Sequence, residues 1–369
     1  MSVVEGFVPA TVFGGEARLW KQRVGALTAI PALLLQLGAE PARVLAAAGL
    51  EARELECAEN TIPYAAFGRL LSESARQSGC DTFGLLGGQS WTFSAMGLVG
   101  QLIRHSPTVG AGLQLGVVYH HLNSQGGAIY LLNQGAQAEL GYAIYYPGIQ
   151  GADQIYDGVL AAIVNYMREL CGAAWAPEAV LVAHAPPVDV GPYRRLFRSP
   201  VQFNSERSAL RFSRKWLNRP VPGADPRMLR DLVKQANELP APSLIEKLHR
   251  SLRVLLLSGI VSGDAIAELL AMHHRTLNRR LKVQGRTFRE VLDDVRFESA
   301  CQLLSATTLT LEDISAALGY AGVSPFTRAF RRLSGTAPGR WRQAARGKRK
   351  DAPDRDLKSA NEKQTSMAS

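Results

Sequence analysis

The apolar positions change period along the chain. Up to about Gly110 they recur at helical spacing, in segments such as "PARVLAAAGL" and "IPYAAFGRLLSESARQSG" that each end in glycine. From about Leu122 the spacing becomes that of strands. "GGAIYLLNQ" and "AELGYAIYYPG", separated by a turn at residues 134–137, predict a hairpin. "GADQIYDGVLAAIVNYMRELCG" then predicts a helix, with Ile155, Val159, Ile163, Tyr166 and Leu170 on one face. "EAVLVAHAPP" predicts a short strand closed by prolines, His184 satisfying a turn backbone rather than binding metal. "VQFNSERSALRFSRKWL" adds two more short strands around a turn. Strands interspersed with helices in this way define an α+β domain.

Beyond it, "PVPGADPRMLRDLVKQANELPAP" reads as a proline-bounded helix suited to connect two domains. From there to Arg346 the period is helical only, and the remaining tail is polar, charged and expected to be disordered. The resulting division is an α+β domain over residues 1–222, a connector over 223–243, an all-α domain over 244–346 and the tail over 347–369.

Within the all-α domain, "TLEDISAALGYAGVSPFTRAFRRLSGTAPGRWR" predicts two short helices. Thr310 and Asp313 resemble a capping box, and Leu311, Ile314, Ala317 and Leu318 form the apolar stripe. Gly319 suits the left-handed residue that ends the first helix. Ser324 is the expected N-cap of the second and Pro325 its first residue. Phe326, Ala329, Phe330 and Leu333 face inward there, leaving Thr327, Arg328, Arg331 and Arg332 outside. That is the pattern of a helix-turn-helix, and equally of a solvated helical hairpin.

An upstream copy separates these readings. In "SGDAIAELLAMHHRTLNRRLKVQG", Ile266, Ala267, Leu269 and Leu270 predict one helix and residues 271–273 a turn. The next helix buries Leu277 and Leu281 and exposes Arg275, Asn278, Arg279 and Lys282. A joining helix opens with the capping-box pair Thr287 and Glu290. At roughly 20 residues it would be about 30 Å long, close to one turn of B-DNA at about 34 Å. Charge agrees with this reading. Residues 1–240 hold 20 Lys and Arg against 19 acids, residues 241–346 hold 16 against 9, and the tail 6 against 4. The excess that gives the chain its formal +10 therefore lies in the last third, which suits a polyanion partner, although basic surfaces also serve solubility alone.

This region resembles the DNA-binding domain of the AraC/XylS family of bacterial transcription regulators. The matching residues are "TLNRRLKVQGRTFREVLDDVRFESACQLL" and "DISAALGYAGVSPFTRAFRRLSGTAPGRWR". The resemblance implies two helix-turn-helix units whose second helices read successive major grooves of promoter DNA. The base-contact candidates it implies are Arg275, Asn278 and Arg279, then Val323, Ser324, Pro325, Thr327 and Arg328. Arginine and asparagine suit bidentate contacts to guanine and adenine. His274, Lys282, Arg331 and Arg332 are the phosphate candidates. Two residues depart from the family: Ala271 stands where glycine is usual, and His273 where an N-capping serine is usual.

The N-terminal part is similar to the arabinose-binding-like effector domain of an AraC subfamily that includes ornithine-utilisation regulators. The similarity rests on "IPYAAFGRLL" and on the run from Trp175 to Asp225. It implies effector binding, homodimerisation or both, an activator's contact with RNA polymerase, and an effector that the label does not identify. Tyr119, His120, His121, Tyr142 and Tyr145, with Tyr146, are the polar-aromatic groups nearest the predicted sheet. They are candidates for pocket lining as well as for ordinary packing.

The sequence also weighs against other classes. Cys57, Cys80, Cys171 and Cys301 have no metal-site or disulfide spacing, so no metal or cofactor is expected and a reducing cytoplasm is the simplest setting. Glu5 precedes any basic residue, unlike a signal peptide, and "VGALTAIPALLLQLG" is too short and proline-broken to cross a membrane. A DNA-repair enzyme with an attached helix-turn-helix needs an activated thiol. Cys57 has acidic neighbours where that chemistry needs cationic ones. P-loop, GxSxG and HExxH motifs are not found. A non-specific nucleoid-type binder remains the alternative, distinguished by equal affinity for any DNA.

Overall fold

The computed structural model describes residues 20–146, 148–240, 242, 244–257 and 273–351. The helix expected at 266–270, most of the turn after it and the tail from 352 lie outside these residues.

The N-terminal part is the expected mixture of helices and strands. Strands β1 (Lys21–Arg23) and β2 (Thr61–Pro63) form a small antiparallel pair. The main sheet comprises β3 (Gly127–Gln134), β4 (Gln137–Ile144), β5 (Ala179–Leu181), β6 (Val201–Gln202) and β7 (Ser208–Ser213), in the order β3-β4-β7-β5-β6. Gln134 pairs with Gln137, so the hairpin loop is only Gly135 and Ala136. Gly135, at φ +61°, supplies the positive φ that a two-residue hairpin loop needs. The pairs are antiparallel except β5 with β6, which run parallel. Parallel neighbours need a crossover, provided here by a route through the helix Gly191–Phe197.

β4 is buried from Ala138 to Ile144. Ala138, Leu140, Tyr142 and Ile144 share one face and join the two large cores shared with the helix Ala152–Cys171. That helix lies against the helix Phe83–Gly88 at a distance only glycine permits. A Cβ on Gly84 would sit 2.1 Å from the Gln154 carbonyl oxygen, and one on Gly88 2.1 Å from that of Gly158. The opposite face of β4 carries Ala143, which packs with Tyr130 and Ala209, and Glu139. Glu139 is fully buried between Arg207 and Arg211, at 2.8 and 2.7 Å. Burial opposes the charge of Glu139, but the two guanidiniums more than offset it and hold the carboxyl below its ordinary range.

The C-terminal part is helical throughout its described residues. The helix Phe288–Ala306, 19 residues and so about 28 Å long, serves two cores. Val291 and Val295 pack with Leu248, Leu252, Leu277 and Leu281 at one end. Phe297, Ala300 and Leu304 pack with Ile314, Leu318, Phe326 and Phe330 at the other. Its capping box is formed: the Glu290 N–H donates to Thr287 Oγ1 at 3.3 Å, and the Thr287 N–H to Glu290 Oε2 at 2.7 Å. The C-terminal helix Pro338–Asp351 runs beyond the expected boundary at Arg346, through Gly347 and into the basic segment that follows.

The two parts meet at the C-terminal end of this linking helix. The last carbonyl groups of a helix have no partner within it. Here the Ala306 carbonyl accepts the Ala185 N–H at 2.7 Å. Nearby, the Thr308 N–H donates to Asn204 Oδ1 at 2.8 Å, and Gln302 Nε2 donates to the Ile144 carbonyl at 3.4 Å. Behind Ala185, His184 bonds its Nδ1 to the Ala185 carbonyl at 2.8 Å, the turn role expected for it. It also bonds through Nε2 to Asp157 Oδ1 at 3.0 Å, and Asp157 accepts the Tyr193 hydroxyl at 2.5 Å. Burial disfavours an imidazolium, but the Asp157 carboxylate outweighs it and pushes His184 up to about 9.

Candidate nucleic-acid interface

The first candidate recognition helix is His274–Val283. Leu277 and Leu281 are fully buried on one side. His274, Arg275, Asn278, Arg279 and Lys282 are exposed on the other, spaced one helical turn apart. The unusual His273 does cap this helix: its Nδ1 accepts the Arg275 N–H at 3.2 Å, the task of the more usual serine oxygen. Asn278 Nδ2 lies 3.2 Å from the His274 ring Nε2, so these two side chains hold one another on the exposed face.

The second candidate recognition helix, Val323–Ser334, begins earlier than the sequence pattern indicates. Gly322 (φ +153°, ψ −179°) occupies the N-cap, a conformation open to glycine. Val323 is the first helical residue, and Ser324 and Pro325 follow it within the first turn. Proline is tolerated there because the amides of the first turn have no intrahelical acceptor. Phe326 and Phe330 are buried; Ser324, Arg328, Arg331 and Arg332 are exposed, with Val323, Pro325 and Thr327 half-buried beside them. Arg332 is tied back to Asp293 of the linking helix at 2.6 Å, whereas Arg328 projects from the same face one turn earlier.

The helix before it, Leu311–Ala317, is capped as expected, with the Asp313 N–H donating to Thr310 Oγ1 at 3.1 Å. Gly319 has φ +69°, the left-handed conformation of the turn. The group that holds this turn comes from a distant part of the chain. Arg296, on the linking helix, donates to the Leu318 carbonyl at 2.9 Å and the Gly319 carbonyl at 3.1 Å, and its guanidinium lies 4.8 Å from the Tyr320 ring centre. Helical periodicity marks Arg296 only as partly exposed, and its partners lie more than twenty residues away. Arg296→Ala is expected to lower stability by about 1.5–3 kcal/mol, the range for hydrogen bonds from a charged donor. Denaturant unfolding measures it, and a change below about 0.5 kcal/mol would show that the turn holds itself.

At the interface, Arg328→Ala is expected to weaken a specific site by roughly 1–3 kcal/mol while leaving random-DNA affinity nearly unchanged. Binding titrations on both DNAs measure this, and equal losses would make Arg328 a phosphate contact.

The aromatic candidates of the N-terminal part do not converge on one point. His120 and Tyr142 stand edge to face, with ring centres 5.6 Å apart, beside a cavity of about 80 Å³. Burial pushes His120 down to about 3, so the ring is neutral. Tyr142 also borders a larger cavity described below. Tyr145 is a core residue against Trp20, and Tyr146 packs on Trp20 and Tyr64. Tyr119 and His121 point elsewhere: the Tyr119 hydroxyl donates to Asn237 at 2.9 Å, and His121 Nδ1 lies 3.1 Å from the Val118 carbonyl oxygen. Among the described residues, no group of three or more His, Cys, Asp and Glu is placed to hold a metal ion. No helix among them is long and apolar enough to cross a membrane.

Comparison with known proteins connects both halves to regulators. Residues 38–221 match the family model described as the arabinose-binding domain of AraC transcription regulator, N-terminal, and residues 266–344 match a helix-turn-helix domain. The chain is 28% identical over 319 residues to the HTH-type transcriptional regulator VirS of Mycobacterium tuberculosis, covering 84% of this chain and 93% of that one. It is 27% identical over 318 residues to the ornithine utilization regulator of Pseudomonas aeruginosa, covering 85% and 93%. A shorter match, 30% identical over 112 residues, links 30% of the chain to 33% of the transcriptional activator NphR of a Rhodococcus species. With an arabinose-binding-type effector domain followed by a helix-turn-helix domain, the chain belongs to the AraC family of DNA-binding transcription regulators.

Proposed function

We propose that this protein is a ligand-responsive activator, without catalytic activity, that binds one face of double-stranded promoter DNA through two recognition helices in successive major grooves. The observation that carries this reading is the linking helix Phe288–Ala306, which belongs to both cores and so fixes the two recognition helices as one unit. Arg275, Asn278, Arg279 and Arg328 are its base-reading side chains, together with Val323, Ser324, Pro325 and Thr327 of the second helix. His274, Lys282, Arg331 and Arg332 are its phosphate contacts, Arg332 by exchanging Asp293 for phosphate. Activation through RNA polymerase, homodimerisation through the N-terminal domain and residence in the cytoplasm complete the reading. The similarity to a protein named an activator supports its sign.

Equilibrium binding of the full chain to the DNA upstream of its own gene, against random DNA of equal length at physiological salt, tests this reading. A specific reader is expected to favour one site by about a thousandfold or more. Equal affinities would favour a non-specific, phosphate-held binder instead.

A further inference from the structure

The sheet face of β4 that carries Ala143 does not rest directly on the DNA-binding part. Between them lies a cavity of about 330 Å³, within the size range of small-molecule sites and at a domain boundary, where such sites are common. Its walls come from both parts: Tyr142 and Ala143 on β4, Leu256 on the helix Leu244–Leu257, and Phe297 on the linking helix. Most of the lining is apolar. Four of the polar exceptions are charged, Glu206, Arg207, Arg253 and Glu298, and the last two are deeply buried.

Arg253 is only 6% exposed. Its guanidinium donates to the Val295 carbonyl at 3.4 Å and to Gln302 Oε1, both neutral acceptors. Among the described residues no carboxylate forms an ion pair with it. Glu298, 7% exposed, borders the same cavity, and both its carboxyl oxygens are buried with no hydrogen-bond partner. Burial pushes this carboxyl well above its ordinary range, against the opposing pull of Arg253, and so favours its protonated form. Buried charges are normally paired and buried polar groups normally bonded. A buried cation on neutral acceptors, beside an unbonded acid, is matched by a ligand that supplies one negative charge and acceptor oxygens.

We propose that this interdomain cavity is the effector site and takes a small molecule with an apolar body and a single carboxylate. Arg253 binds the carboxylate, Glu298 donates to it, and the apolar body packs against Phe297, Leu256 and Ala143. A cationic amine of the same shape is rejected by Arg253. The site also explains how occupancy reaches DNA. Gln302, which accepts from Arg253, donates to the Ile144 carbonyl and is one of the contacts joining the linking helix to the effector domain. A carboxylate on Arg253 displaces Gln302 and alters that joint. This regulatory meaning rests on the ligand-responsive reading above; the binding itself does not.

The test uses the full chain and three probes of equal shape: 4-phenylbutyrate, 4-phenylbutanol and 4-phenylbutylamine. Thermal shift and titration calorimetry are expected to show saturable binding of 4-phenylbutyrate and none of the amine. Arg253→Gln is expected to weaken the carboxylate by about tenfold to a hundredfold, the loss of a charge-assisted hydrogen bond. Ala143→Leu narrows the cavity from the sheet side, leaves every charged group in place, and is expected to weaken it as well. It carries the test if Arg253→Gln does not fold. No saturable binding of 4-phenylbutyrate, equal binding of the amine, or an unchanged affinity in the folded variants would overturn the proposal. Promoter affinity without any probe is measured alongside. If that affinity is non-specific while 4-phenylbutyrate still binds, the regulator reading fails and the site stands.

Discussion

Phe330→Ala is expected to destabilise the DNA-binding part by about 3–5 kcal/mol, the usual cost of emptying a buried aromatic site. Phe330 is 2% exposed and touches three other rings. Phe297 of the linking helix lies 5.0 Å away between ring centres, Phe326 5.8 Å and Trp341 of the C-terminal helix 6.0 Å. Its loss removes the contact that presses the second recognition helix onto the linking helix, so specific DNA affinity is expected to fall with stability although Phe330 never touches DNA. Denaturant unfolding followed by Trp fluorescence measures the first effect, and a promoter titration the second. A loss below about 1 kcal/mol would mean that this aromatic cluster does not hold the second unit together.

Asp157→Asn is expected to cost about 3–5 kcal/mol, because it leaves the buried His184 imidazolium without its counter-charge. The same pair sets a pH dependence. His184 is pushed up to about 9 in the folded chain, above the ordinary histidine value of about 6.5, so the folded state holds the extra proton between those limits. The stabilisation is therefore complete below about pH 6.5 and is lost as pH rises through about 9. Thermal melts of the wild type between pH 6 and 10 are expected to show a falling Tm across this window, and Asp157→Asn to lack that component. A wild-type profile as flat as the variant's would contradict the buried ion pair. Because His184 positions Ala185 against the Ala306 carbonyl, the variant is also expected to loosen the docking of the linking helix.

Local features of the fold were legible in the sequence. The hairpin announced itself through alternation around Gly135, the long helix through its apolar face, and the helices of the DNA-binding part through their two capping boxes. These signals work because each rests on residues within one or two turns of one another. The start of the second recognition helix was misplaced by the same local logic. Ser-Pro is a good opening, but Gly322 provides an N-cap conformation three residues before Pro325, so the helix starts at Val323. What joins distant segments was not legible. Arg296 reaches Leu318 and Gly319, Asp157 reaches His184, and Ala185 reaches Ala306. No periodicity encodes such pairings. The aromatic candidates do not converge for a related reason: aromatic content marks what is buried, whereas Arg253 and Glu298 lie in a segment read only for DNA contact.

The proposed reading has the shared helix Phe288–Ala306 hold two DNA readers in fixed register. Methylation interference on the upstream region tests it most directly, because guanine N7 lies in the major groove. Two clusters of interfering guanines are expected on one face of the duplex, centred about 10–10.5 base pairs apart. Arg328→Ala should remove interference in one cluster only. A single cluster, or protection without any interfering base, would contradict it.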